Sequence, residues 1–139
     1  MSARQTDPVT ATSSRCPCGS GDVYGDCCGR FHAGGRAPTA EALMRSRYTA
    51  FVLRDEAHLL ASWAPEGRPA ALDLDDDLEW LRLDVLRRTG GGPFDDTGTV
   101  EFEARYRRQG QRGVQREDSR FERCDGAWLY VGPVGPGPV

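Results

Sequence analysis

A chain of 139 residues with 38% hydrophobic content can fill one core of ordinary size and carry a small appendage, which excludes a second large domain. Its formal net charge is −3, its isoelectric point lies near 5.4, and no segment concentrates positive charge, so a nucleic-acid-binding face is not expected. All 18 basic residues are Arg, while Lys, Ile and Asn are missing, the imprint of a GC-rich genome rather than of a phosphate-gripping surface.

Residues 1–15 are rich in Ser, Thr and Ala and hold no apolar run. They read as a disordered tail, neither a secretory signal nor a membrane span, and the expected location is cytoplasmic. The next feature is Cys16-Pro-Cys18-Gly-Ser-Gly followed by Cys27-Cys28, a C-x-C-x8-C-C spacing that gathers four of the five cysteines. Gly19 and Gly21 let the backbone turn tightly enough for the four sulfurs to face one point. Disulfides within Cys16/Cys18 or Cys27/Cys28 would be strained, because a relaxed bridge holds its Cα atoms about 5.5 Å apart. In a reducing compartment such clusters bind metal or do redox work. The spacing predicts a structural zinc module over 16–29, a closed set of four thiolates with no position left for water. A redox thiol pair or a loop of reactive thiols is the alternative. Backbone N–H groups of Gly19, Ser20 and Gly21 are expected to face the first two sulfurs.

A Gly/Arg/Ala-rich linker is expected over 30–37, and the rest of the chain, 38–133, is read as one α+β domain with a loose tail at 134–139. Thr39 is placed to cap a helix over Ala40 to Arg54 whose Leu43, Met44, Tyr48, Phe51 and Val52 form one apolar stripe, with Arg47 inside it. Asp55 can cap a second helix, Glu56 to about Ser62, ended by Trp63-Ala64-Pro65. After an acidic stretch at Asp73 to Asp77, with room for a short helix, strand character runs from Glu79 to Arg88 with Leu81, Leu83 and Val85 on one face. Thr97 to Arg108 alternates cleanly, Val100, Phe102, Ala104 and Tyr106 against Glu101, Glu103, Arg105 and Arg107. Val114 to Cys124 is a third strand, Asp125-Gly126 a two-residue hairpin turn, and Ala127 to Val131 a fourth strand. Helices followed by an antiparallel meander give an α+β fold with the helices on one face of a curved sheet.

If Phe121 faces inward, period two puts Ser119, Glu117 and Gln115 on the same inner row, which is unusually polar. Arg47 is the natural partner, through an Arg47–Glu117 pair between helix and sheet; the alternatives are an Arg47 that snorkels to solvent or a bulge that re-aims the strand. Tyr48, His58 and Trp63 complete a candidate pocket with these residues, although a lone helix His is more often a surface residue. Cys124 is an ordinary small strand residue. No Ser/His/Asp set, phosphate-binding glycine loop or carboxylate pair stands out. The function expected is a non-enzymatic adaptor that docks on another protein through the zinc module; the alternative is a small-molecule pocket protein or enzyme using the concave sheet face.

The segment CPCGSGDVYGDCCG, Cys16 to Gly29, resembles the SEC-C motif, a zinc-binding module. MRSRYTAF at Met44 to Phe51, Ser62-Trp63, EWLRL at Glu79 to Leu83 and EDSRF at Glu117 to Phe121 resemble, in that order, the YchJ-like family of bacterial proteins. The resemblance implies zinc ligation by Cys16, Cys18, Cys27 and Cys28, and a nuclear-transport-factor-2-like cone of helices on a curved antiparallel sheet. It implies no reaction. SEC-C segments often carry Lys between their cysteine pairs, whereas this chain has Asp22 and Asp26 there.

Overall fold

The computed structural model describes residues 12–134. Most of the expected N-terminal tail and all but the first residue of the expected C-terminal one lie outside them. Thr12 to Arg15, expected within the tail, instead pair with the chain that follows the cysteine turn. Arg15 forms an antiparallel bridge with Val23, and the amides of Tyr24 and Gly25 donate to Ser14 O and Thr12 O at 2.7 and 2.9 Å. These residues are a strand-like edge of the cysteine module.

A 3-10 turn, Tyr24–Asp26, leads into helix α1 (Cys28–His32), which occupies the start of the expected linker. Helix α2 (Ala40–Leu53) begins where Thr39 Oγ1 accepts from the Ala42 amide at 3.1 Å, and it stops at Arg54, which takes a left-handed φ of 58°. Asp55 caps the short helix α3 (Glu56–Ala61) by accepting from the His58 amide at 3.0 Å. Asp73 to Asp77 form no helix; Asp75 instead closes a turn on the Asp77 amide.

Four antiparallel strands follow in the order β1-β2-β3-β4: β1 (Leu78–Gly90), β2 (Thr97–Arg108), β3 (Gln111–Cys124) and β4 (Ala127–Pro133). The Asp125-Gly126 turn has both φ angles positive, 52° and 81°, the geometry that matches the right-handed twist of the flanking strands. Residues 62–64 add to the free edge of β4 in parallel, with Ala64 N–H on Tyr130 O and Tyr130 N–H on Ser62 O, both 2.8 Å. Register shifts in β1 at Trp80/Arg82 and Val85/Arg87, and in the β3–β4 pairing at Arg120/Phe121, bend the sheet around α2.

The first bulge corrects one expectation. Leu81 is the extra residue, so it turns outward and is 36% exposed, while Trp80 takes the inner face opposite Tyr106. Leu83 stays inside at 7% exposure. The outer face carries ion pairs such as Glu101–Arg116 and Glu79–Arg107, each solvated and contributing roughly 0.2–1 kcal/mol.

Helix α2 is buried on two sides, with Leu43, Met44 and Tyr48 against the sheet and Ser46, Thr49 and Ala50 turned elsewhere. One continuous core joins Phe121, Val100, Ala104 and Trp128 of the sheet to α2, to Phe31 and to the four clustered cysteines. The cysteine module is therefore packed on the α+β domain. Among the described residues, no helix is long and apolar enough to cross a membrane.

The bulge is tested by paired truncations. Leu83→Ala should destabilise by about 2–4 kcal/mol in chemical denaturation, and Leu81→Ala by less than about 1 kcal/mol. Equal losses would mean that β1 runs without the bulge.

Candidate metal centre and pocket

The four thiols converge as the spacing implies. Cys16, Cys18, Cys27 and Cys28 are all buried, and their Sγ atoms lie within 4.8 Å of one another. A tetrahedral ion with metal–sulfur bonds of about 2.3 Å separates its sulfurs by about 3.8 Å. Cys18 and Cys27 Sγ are 3.7 Å apart. Gly19 and Gly21 make the turn with φ of +83° and +94°. The crowding polarises the set: bonds from Cys18 and Cys28 hold the Cys16 thiol down to about 3, while Cys28, on the donor side of these bonds, is pushed up. A metal ion binds cysteine as thiolate, so binding one here would release the protons the cluster holds. The four residues can hold one, and a full sulfur set gives it an architectural role.

The partners of the sulfurs differ from expectation. The Gly19 amide bonds Cys16 O at 3.2 Å, and hydroxyls meet the sulfurs instead. Ser20 Oγ lies 3.2 Å from Cys27 Sγ. Thr49 Oγ1, on α2 and fully buried, donates to Cys28 Sγ at 3.3 Å and lies 3.7 Å from Cys16 Sγ. Arg45, also on α2, donates to Cys18 O at 2.8 Å. Sequence reasoning missed Thr49, because nothing local marks a hydroxyl whose burial depends on a segment twenty residues away.

Beside the thiols, α1, α2 and α3 meet in a polar knot. His32 Nε2 lies 2.8 Å from Ser46 O, so it carries the proton, and Nδ1 accepts from Tyr24 OH at 2.8 Å. Ser46 Oγ gives its proton to Leu43 O, so His58 Nε2 donates to Ser46 Oγ at 2.9 Å. The rings of His32 and His58 are 4.5 Å apart. Burial, with the neighbouring His32 adding to it, pushes His58 down to about 4. His58 thus belongs to this junction and does not line the concave face expected for it. Only after α3 ends does the chain, at Ser62-Trp63, turn toward the sheet.

Between α2 and the sheet lies a cavity of about 120 Å³. Arg47, Tyr48, Trp63, Gln115, Glu117 and Ser119 line it, together with aromatic residues that sequence reasoning did not assign to a site: Phe51, Trp80, Phe102 and Tyr130. Tyr130 was findable, since a two-residue turn at Asp125-Gly126 pairs it with Phe121. The expected Arg47–Glu117 ion pair does not form. Arg47 Nη1 donates to Leu59 O and Ser62 Oγ at 2.8 and 2.7 Å, and the guanidinium lies over the rings of Tyr130 and Trp63 at 4.5 and 5.2 Å. Glu117 Oε2 accepts from Ser119 Oγ and Tyr130 OH, both at 2.6 Å. Tyr130 stands between the two charges. Burial lowers Arg47 to about 10, and burial together with the Glu117 bond raises Tyr130. Cys124 is exposed and takes part in neither site.

Residues 39–133 match the family model described as YchJ, middle NTF2-like domain, and residues 13–30 match the SEC-C motif. The chain belongs to the YchJ-like family. Curated relatives include a UPF0225 protein of Corynebacterium glutamicum, 57% identical over 84% of this chain and 93% of its own. Another, from Streptomyces avermitilis, is 50% identical over 93% of this chain and 94% of its own. The fold also matches the solution structure of a SEC-C motif containing protein from Rhodopseudomonas palustris, at TM-score 0.73 and 38% identity over 84% of this chain and 94% of that one. A crystal structure of a SEC-C motif containing protein from Psychrobacter arcticus matches at TM-score 0.72 and 26% identity, over 95% and 86% of the two chains. The sequence resemblance and the α+β reading therefore hold for the whole described fold.

Two outcomes follow. Thr49→Val, which keeps the side-chain volume and removes the hydroxyl from two sulfurs, should weaken metal retention about 10-fold or more in a chelator competition; unchanged retention would reduce Thr49 to packing. The second concerns His58, whose folded pKa of about 4 lies below its ordinary 6.5. The unfolded chain then binds more protons in that window, so this contribution is complete above about 6.5 and is lost as pH falls toward about 4. Melting temperature should drop across that range, and His58→Gln should flatten the slope relative to the parent.

Proposed function

We propose that this protein is a small-molecule-binding protein in which a zinc ion on Cys16, Cys18, Cys27 and Cys28 is architecture and the cavity under α2 is the binding site. Four thiolates at tetrahedral spacing suit Zn²⁺, which has no redox chemistry, and a site closed by four sulfurs leaves no open position on the ion. When bound, the ion would supply cross-linking of the module and nothing more. A reducing cytoplasm, which keeps these thiols free of disulfides, is part of this reading.

The observation that carries it is the cavity itself: aromatic walls into which a buried guanidinium, a carboxylate and a hydroxyl converge. Binding sites for small molecules have this composition, mostly apolar with a few placed polar groups. The adaptor reading is weaker. Phe31 and all four thiols face inward, and the outward side of the module, Gly19 to Val23 and Asp26, is small and mostly polar. No reaction is assigned to the pocket.

Protein purified under reductant should contain about one zinc per chain by elemental analysis. Screened against metabolites by thermal shift, it should be stabilised by at least one compound, by about 2.7 kcal/mol when free ligand is a hundredfold above Kd, and Glu117→Ala should remove that shift. If no compound moves the melting temperature while the zinc-loaded full chain captures a protein through the exposed Gly19 to Val23 loop, the adaptor reading replaces this one.

A further inference from the structure

The cavity holds two formal charges that the protein keeps apart. Arg47 is more than nine-tenths buried, and Nη1 makes both of its protein hydrogen bonds. Among the described residues no carboxylate pairs with it, and no protein atom accepts from Nε or Nη2. No fully enclosed side-chain nitrogen or oxygen lacks a partner, so the unpaired guanidinium edge is not sealed off, and Arg47 lines the cavity. Glu117 likewise uses one oxygen, Oε2, for its bonds from Ser119 and Tyr130, which leaves Oε1 without a protein donor. The Tyr130 ring carries the guanidinium at 4.5 Å and its hydroxyl holds the carboxylate at 2.6 Å, so one side chain contacts both charges and no ion pair forms between them.

A buried cation without a counter-charge is costly, and so is a half-buried carboxylate facing nothing. The two charges line one cavity without pairing, an arrangement that suits one small molecule carrying opposite charges on two groups of the same carbon. A carboxylate alone would satisfy Arg47 and be repelled by Glu117. An amine alone would do the reverse. The volume, about 120 Å³, is of the order of an engineered cavity of about 150 Å³ that accepts benzene, so the guest is small and its apolar part compact.

Resting on the pocket reading above, we propose that the cavity binds a free α-amino acid with a compact apolar side chain. Its carboxylate meets the Nε/Nη2 edge of Arg47, its ammonium meets Glu117 Oε1, and its side chain packs on Phe51, Trp80 and Phe102. Each charged contact forms where the protein has left a polar atom unused, so binding completes both groups at once.

The test uses an isosteric series on the zinc-loaded full chain: L-valine, isovalerate, which lacks the amine, and isobutylamine, which lacks the carboxylate. Binding is read by NMR from the indole N–H signals of Trp63 and Trp80, with Trp128, whose Nε1 bonds Pro38 O outside the cavity, as the internal reference. L-Valine should shift the first two signals and bind at least ~10-fold more tightly than either single-ended analogue. Glu117→Gln should weaken L-valine and leave isovalerate no weaker, while Arg47→Lys should weaken both. Isovalerate or isobutylamine binding as tightly as L-valine overturns the zwitterion assignment. So does a screen in which other compounds shift Trp63 and Trp80 while L-valine does not, an outcome that leaves the pocket reading standing. Silence from every compound removes both. Should Arg47→Lys fail to fold, the Glu117→Gln comparison between L-valine and isovalerate decides alone.

Discussion

Helix α2 is held from two sides, and the rest of the molecule is arranged around that constraint. Its 14 residues would be marginal as an isolated helix, so its stability comes from burial. At 100° per residue, Arg45, Ser46 and Thr49 fall on one side and Met44, Arg47, Tyr48 and Phe51 on the other. The first set meets the cysteine module: Arg45 bonds the Cys18 carbonyl, Thr49 the Cys28 sulfur, and Ser46 the two histidines. The second set forms the roof of the cavity. A metal ion held by the four sulfurs would thereby fix one flank of α2, and the depth and shape of the cavity follow from where α2 sits. The module is in this sense the back wall of the pocket, one helix diameter removed from it.

The strands were legible where one physical signal was enough. β2 alternates apolar and charged side chains without a fault, and Asp125-Gly126 imposes a turn that few other dipeptides tolerate, so β2 and the β3–β4 register could be read directly. The bulge at Leu81 could not. Trp80-Leu81-Arg82-Leu83 offers an apolar residue in either phase, and one inserted residue leaves no mark in composition; only the curvature needed to wrap α2 decides which side turns in. The same distinction holds for α2. Its sheet-facing stripe is apolar and periodic, whereas Ser46 and Thr49 look like surface residues until the module covers them. The Thr12 to Arg15 edge was lost for a related reason, since polar residues become structure only when the backbone of Val23 to Gly25 lies alongside.

The thiol centre and the histidine junction show how two nearby sites can differ in legibility. Four cysteines at C-x-C-x8-C-C announce their convergence through local spacing, because the ring of contacts closes within one short loop. His58 carries no such spacing. Its position on α3 permits either the cavity or the α1 side, and the choice falls to His32 and Ser46: Ser46 Oγ accepts from its Nε2 and the His32 ring lies 4.5 Å away, a setting for a neutral imidazole.

The polar inner row of β3 shows what sequence consistency can and cannot reveal. Gln115, Glu117 and Ser119 break the rule that an inward face is apolar, and such a break calls for a compensating group nearby. The group exists, Arg47, yet compensation through direct contact does not occur, because Tyr130 enters between them and bonds the carboxylate itself. A direct pair would have been self-sufficient and would have closed the space. With Tyr130 interposed, each charge is steadied on one side and left open on the other, and a void remains where the two open sides face. On the proposed reading, the departure from pattern at Glu117 reflects a binding role more than a stabilising contact, the fold supplying half of each interaction and a guest the other half.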